Sequence, residues 1–103
     1  MTEDSTSLVY VEAQTARQRF NALDYYGEML RGALVALVRR DNPAPAALGF
    51  PTGTRSQTVW YMRGHTRVAV VHQFVLPNGR LGASGLPDPK WLRDGTRILA
   101  VRP

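Results

Sequence analysis

TRVAVVHQFVLPNGRLGASG, residues 66–85, decides how the chain is read. Its first half is β-branched and apolar, the composition of a long strand. Asn78-Gly79 follows. Both residues accept positive φ, and the pair is the strongest short signal for a tight hairpin turn. Arg80 to Ser84 is expected to return as a strand of small residues. Thr66–Leu76 then becomes the central strand of an antiparallel sheet.

Working upstream, TVWYMR at 58–63 predicts a partner strand joined through a turn at Gly64-His65. Two-residue turns fix the pairing. One face carries Val59, Tyr61, Val68, Val70, His72 and Phe74 and is expected to form the core. The other carries Trp60, Met62, Ala69, Val71 and Val75. A slip of one residue would exchange the two faces. The second face is too apolar for plain solvent contact; the residue 42–57 loop, the short Trp91 helix or a second copy of the chain could cover it, so Trp60, Met62, Val71 and Val75 are interface candidates with a homodimer as the expected partner.

Toward the N-terminus, Ala13, Ala16, Phe20, Leu23, Gly27, Leu30, Leu34 and Leu37 alternate spacings of three and four. That periodicity predicts a helix over about residues 13–40, either continuous or kinked or broken into two at Asp24-Tyr25-Tyr26-Gly27, where glycine weakens the helix. The two prolines at 43 and 45 end it, and residues 42–57 read as a loop. Leu8–Val11 predicts a first strand or the first turn of the helix. Residues 1–7 read as a disordered tail, and 8–103 as a single domain. Asp88-Pro89 predicts an N-cap and first-turn proline of a short helix through Trp91. Arg97–Val101 predicts a last strand with Ile98 and Ala100 on one face, Leu99 and Val101 on the other. The fold class is α+β: one long N-terminal helix packed on a four- to five-stranded antiparallel sheet. In outline it resembles the cystatin-like or nuclear-transport-factor-like roll, a likeness of fold that implies no function.

Composition bounds the chemistry. The 103 residues include no cysteine, which rules out a disulfide framework and a cysteine nucleophile. The polar, acidic start lacks the basic and apolar regions of a signal peptide, and no apolar run reaches the ~18 residues of a membrane span. A soluble, cytoplasmic protein without a membrane partner is expected. Residues 1–41 carry six acids and five bases, whereas 42–103 carry two acids and eight bases, and twelve of the thirteen bases are arginine. Clustered arginine matches phosphate and carboxylate geometry, although a preference for arginine at every surface cation would leave the same record.

No zinc-protease, P-loop or dinucleotide motif occurs, and Gly82-Ala83-Ser84 lacks the closing glycine of a nucleophile elbow. No metal, cofactor or catalytic residue is assigned. Two groups of site residues remain. Tyr26, Tyr61, His72, Gln73, Phe74 and Ser84 are candidates for a small-molecule or enzymatic pocket between helix and sheet, where Ala83 and Gly85 leave space beside His72. Arg55, Arg63, His65, Arg67, Arg80 and Lys90, interleaved with Trp60 and Trp91, are candidates for an anionic partner, either nucleic acid or an acidic protein. The reading this inventory favours is a non-enzymatic binding module, with an RNA-cleaving, toxin-like domain built on His65 and Arg67 as an alternative.

Overall fold

The helix expected over residues 13–40 is interrupted twice. A computed structural model describes residues 6–103 and begins with strand β1 (Ser7–Val11), followed by helices α1 (Ala13–Ala22) and α2 (Tyr25–Leu30). Asp24 takes a left-handed conformation at φ 57° between the two helices. A methyl group at Gly27 would run into the Asp24 carboxylate, so the glycine permits this tight corner. Gly32, at φ 84°, then stops α2. The Ala33 N–H donates to the Glu28 carbonyl at 2.8 Å and the Gly32 N–H to the Met29 carbonyl at 3.1 Å, the paired bonds of a glycine-terminated helix end. Residues 35–38, VALV, are β-favouring and open strand β2 (Val35–Pro43) instead of continuing the helix.

A 3-10 turn at Ala46–Leu48 leads to β3 (Arg55–Arg63) and β4 (Thr66–Val75), then to β5 (Asp88–Asp94) and β6 (Arg97–Val101). The architecture is α+β, with one six-stranded sheet in the order β1-β6-β5-β4-β3-β2. All neighbours are antiparallel except β1, which runs parallel to β6. Two short helices and a mixed sheet therefore replace the long helix and wholly antiparallel sheet of the roll. The expected helix at Asp88–Trp91 is β5. The expected strand at Arg80–Ser84 is a loop touching the sheet only through a Val75–Leu81 bridge. A turn forms near Asn78-Gly79, but one residue earlier than the expected two-residue loop: the Gly79 N–H donates to the Leu76 carbonyl around Pro77-Asn78, Gly79 alone takes positive φ (85°), Asn78 Oδ1 accepts from the Arg80 N–H, and Leu81 pairs with Val75 instead of Leu76. Ser7, assigned to the tail, is the first residue of β1. The rest of the tail falls at Thr6 and at residues 1–5, the latter outside the described residues.

Three β-bulges set which side chains face the helices. Arg39 in β2, Val68 in β4 and Lys90 in β5 are each an extra residue against the neighbouring strand. Such an insertion reverses side-chain alternation beyond it. At Val68 the pairing shifts from Met62–Arg67 to Tyr61–Ala69. Ala69 and Val71 therefore join Val59 and Tyr61 beneath the helices, while Val70, His72 and Phe74 turn to the opposite face. That corrects the faces expected from a continuous two-residue period. Val71, an interface candidate, is fully buried.

The core lies between α1, α2 and one sheet face. Phe20 is its centre, 6.0 Å from the rings of both Tyr25 and Tyr61, with Leu92 and Leu99 buried beside it. Arg19 clamps the helix to the sheet, donating from Nε (2.8 Å) and Nη2 (3.1 Å) to the two Asp94 oxygens. The Tyr25 hydroxyl donates to the Arg93 carbonyl at 2.7 Å. The Tyr61 hydroxyl is buried with no hydrogen-bond partner among the described residues. An orphaned hydroxyl costs about 1–3 kcal/mol, so Tyr61→Phe is expected to raise the denaturant midpoint; a marked loss would mean that a water satisfies this hydroxyl. No helix among the described residues is long and apolar enough to cross a membrane.

The helices leave the other sheet face open, together with all of β2, except at the Phe74 end, where Phe50 of the β2–β3 loop packs 4.6 Å from the Phe74 ring. Every β2 residue is exposed, and Val35, Leu37 and Val38 retain 57%, 41% and 52% of their accessible surface.

Candidate functional site

One rung crosses all six strands on the uncovered face. The register pairs Tyr10 with Ala100, Ala100 with Trp91, Trp91 with Val70, Val70 with Trp60, and Trp60 with Leu37. Aromatic rings thus stand on alternate strands β1, β5 and β3, with small aliphatic residues between them.

Arginines interleave with the two tryptophans. The Arg67 guanidinium lies over both rings, 4.7 Å from the Trp60 centroid and 4.2 Å from that of Trp91. Arg39 lies over Trp60 at 4.4 Å and Arg93 over Trp91 at 5.6 Å. The ring faces carry negative potential, so each contact is attractive, by about 0.5–1 kcal/mol where exposed. Arg93 Nε also donates to the Arg67 carbonyl at 2.9 Å, which pulls its side chain toward β4. The bulge at Val68 places Val70, not Ala69, opposite Trp60 and so leaves Arg67 room to reach both rings.

Stacking on tryptophan without a carboxylate partner distinguishes these arginines; Arg40 and Arg80 also lack a carboxylate among the described residues but stack on no ring. Arg55 is paired with Asp41, Arg63 with Glu28 and Lys90 with Asp88, so three of the six expected anion contacts already have a carboxylate. Arg39, Arg67 and Arg93 have no carboxylate partner among the described residues. His65 and Arg80 are exposed in turns away from this row. Arg39 and Arg93 were not singled out in the sequence because their segments read as helix. The one available signal was the Trp91-x-Arg93 spacing, which puts both on one face of a strand.

The pocket candidates divide differently. β5 pairs with β4 only as far as His72–Asp88, so the loop after Leu81 stands off the end of β4. A cavity of about 350 Å³ lies there. His72, Gln73, Phe74 and Ser84 line it together with Arg17 and Asp88. Tyr26 borders a separate depression beside Gly79 and Arg80, and Tyr61 sits in the core. Gly82 is buried where a Cβ would come within 2.9 Å of the Phe50 ring, so the small residue expected there meets an aromatic ring of the β2–β3 loop. His72 Nε2 is 2.7 Å from Ser56 Oγ.

Burial lowers the His72 pKa, the Lys90 cation lowers it further and the Asp88 carboxylate opposes both. Hydrogen bonding to Arg19 holds Asp94 below the usual carboxylate range. Both groups bind protons more weakly folded than unfolded, so each stabilises the fold at neutral pH and loses that contribution as pH falls. Melting temperature is expected to decline from about pH 6.5 downward through His72, then again below about pH 4 through Asp94. A His72→Gln variant should lack the first decline; if it titrates like the parent, another group is responsible.

No group of three or more metal-ligating side chains occurs among the described residues. No protein-family model, curated protein or solved structure matches the chain.

Proposed function

We propose that the protein is a non-enzymatic binding module that holds nucleic acid against its uncovered sheet face. One observation carries this reading: the only arginines stacked on tryptophan, Arg39, Arg67 and Arg93, are also without carboxylate partners among the described residues. A guanidinium stacked on a ring still presents N–H groups to phosphate, Arg93 through its two terminal nitrogens since its Nε is bonded to the Arg67 carbonyl, and fixing its orientation in advance lowers the entropic cost of contact. A formal charge of +5 adds long-range attraction. Such a partner also supports a cytoplasmic location.

The test is equilibrium binding of a mixed-sequence oligonucleotide across a salt series. Affinity should fall steeply, with a log–log slope near −0.7 for each phosphate engaged on a single strand. An absence of binding at low salt would sink the proposal. The exposed apolar half of β2 supports a second copy as additional partner, paired edge to edge. Sedimentation should then show a dimer that Leu37→Lys converts to a monomer.

The cavity beside His72 favours a second reading, a small-molecule site. Its size falls within the range of ligand pockets, and a polar group at each side offers orientation. Saturable binding of a small ligand that Ser84→Trp abolishes would support it; a fragment screen without a hit at this cavity would count against it.

A further inference from the structure

The register repeats one arrangement twice along the aromatic rung, a span between two rings on alternate strands with a smaller residue at its floor. In the first, Trp60 and Trp91 stand on strands two apart, with Val70 as the floor between them, and Arg67 occupies the space. In the second, Trp91 and Tyr10 stand on strands two apart, with Ala100 as the floor. Arg67 shows that alternate-strand rings on this sheet clasp one planar group. Strands two apart are separated by roughly 9.6 Å, and a planar group in contact on both faces needs about 7 Å. Ala100 is a lower floor than Val70 and leaves more depth.

The residues around the second gap agree with occupation from outside. Arg93 leans away from it toward β4, through its bond to the Arg67 carbonyl. Tyr10 retains 53% of its surface, while its neighbours Val9 and Val11 turn to the core. Ile98 lies two residues before Ala100 on the same face of β6, and the exposed Arg102–Glu12 pair at 3.5 Å follows Ala100 and Tyr10 by two residues on each strand. The gap continues the row of carboxylate-free arginines, so a strand whose phosphates meet Arg39, Arg67 and Arg93 passes over it.

We propose that the Tyr10–Ala100–Trp91 gap receives one unpaired nucleobase, which makes the ligand of this face single-stranded nucleic acid. This inference rests on the nucleic-acid reading above and adds the base to the phosphates. Its occupant is planar, aromatic and electron-poor at the edges, as the guanidinium beside it is planar and cationic. A base locked in a duplex stack is unable to enter.

Fluorescence anisotropy with the intact protein tests it, using one labelled single strand of mixed sequence, the same strand fully abasic, its duplex, and a nucleoside monophosphate as competitor. The single strand is expected to bind on the order of ten- to a hundredfold more tightly than the abasic strand, the contribution of one stacked base. Tyr10→Ala, at an exposed position, should reduce single-strand affinity to the abasic level and leave abasic binding unchanged. Ala100→Leu, which fills the floor, should do the same. Weak competition by the monophosphate is expected, because it lacks the neighbouring phosphates. Equal affinity for normal and abasic strands, or wild-type affinity in Tyr10→Ala, overturns the base site while leaving phosphate binding intact. Failure of every strand to bind at low salt overturns the nucleic-acid reading and the base site with it.

Discussion

An Arg39→Gln/Arg67→Gln/Arg93→Gln variant is expected to lose at least a hundredfold in affinity for single-stranded nucleic acid at moderate salt, with a log–log salt slope about two units shallower. The comparison that gives this force is an Arg55→Gln/Arg63→Gln/Lys90→Gln variant. Both remove three positive charges, so long-range attraction falls equally. The second set, however, consists of cations already held by Asp41, Glu28 and Asp88 at 2.9 Å. Their guanidinium and ammonium groups would have to exchange one anion for another, so they contribute less to binding. Freed carboxylates would still repel phosphate, and a loss of up to about tenfold is expected there. If the two triple variants lost affinity equally, net charge alone would account for binding and the tryptophan-stacked row would have no special part.

The largest effect on stability is expected from Phe20→Ala. The ring is 2% exposed and touches Tyr25 and Tyr61 from a position where both helices meet the sheet. Removing a buried phenyl group costs about 3–5 kcal/mol, against a total of roughly 5–15 kcal/mol for a domain. The melting temperature should fall by roughly 15–30 °C. Phe20→Leu keeps part of the volume and should fall less. A Phe20→Ala protein that melted within a few degrees of the parent would mean that the helices are not the lid of the main core.

Local signals were legible where the chain makes local structure. The strand alternative for Leu8–Val11 is the one realised, and the presence of a turn near Asn78-Gly79, though not its register, and β6 with its two faces follow from residues adjacent in sequence. The long helix did not, because Leu34 and Leu37 continue a spacing of three and four while lying in an extended chain. There, β-branched Val35 and Val38 and the left-handed Gly32 outweigh periodicity. The Arg67–Trp60–Trp91 cluster was legible as a list of residue types near one another in composition. Its geometry was not, because each bulge at Arg39, Val68 and Lys90 shifts alternation by one, and nothing in the adjacent residues marks an insertion. Arg39 and Arg93 were lost with their segments, and Tyr10 was hidden because its neighbours come from the far end of the chain.

The parallel pairing of β1 with β6 has a mechanical consequence. β1 is entered at Ser7 and β6 is left at Val101, at opposite ends of one ladder. A pull on the two chain ends therefore slides these strands along each other, loading all their hydrogen bonds together in shear. Unzipping from one end would break them singly and at lower force. A domain stretched between these two ends should yield abruptly and at high load.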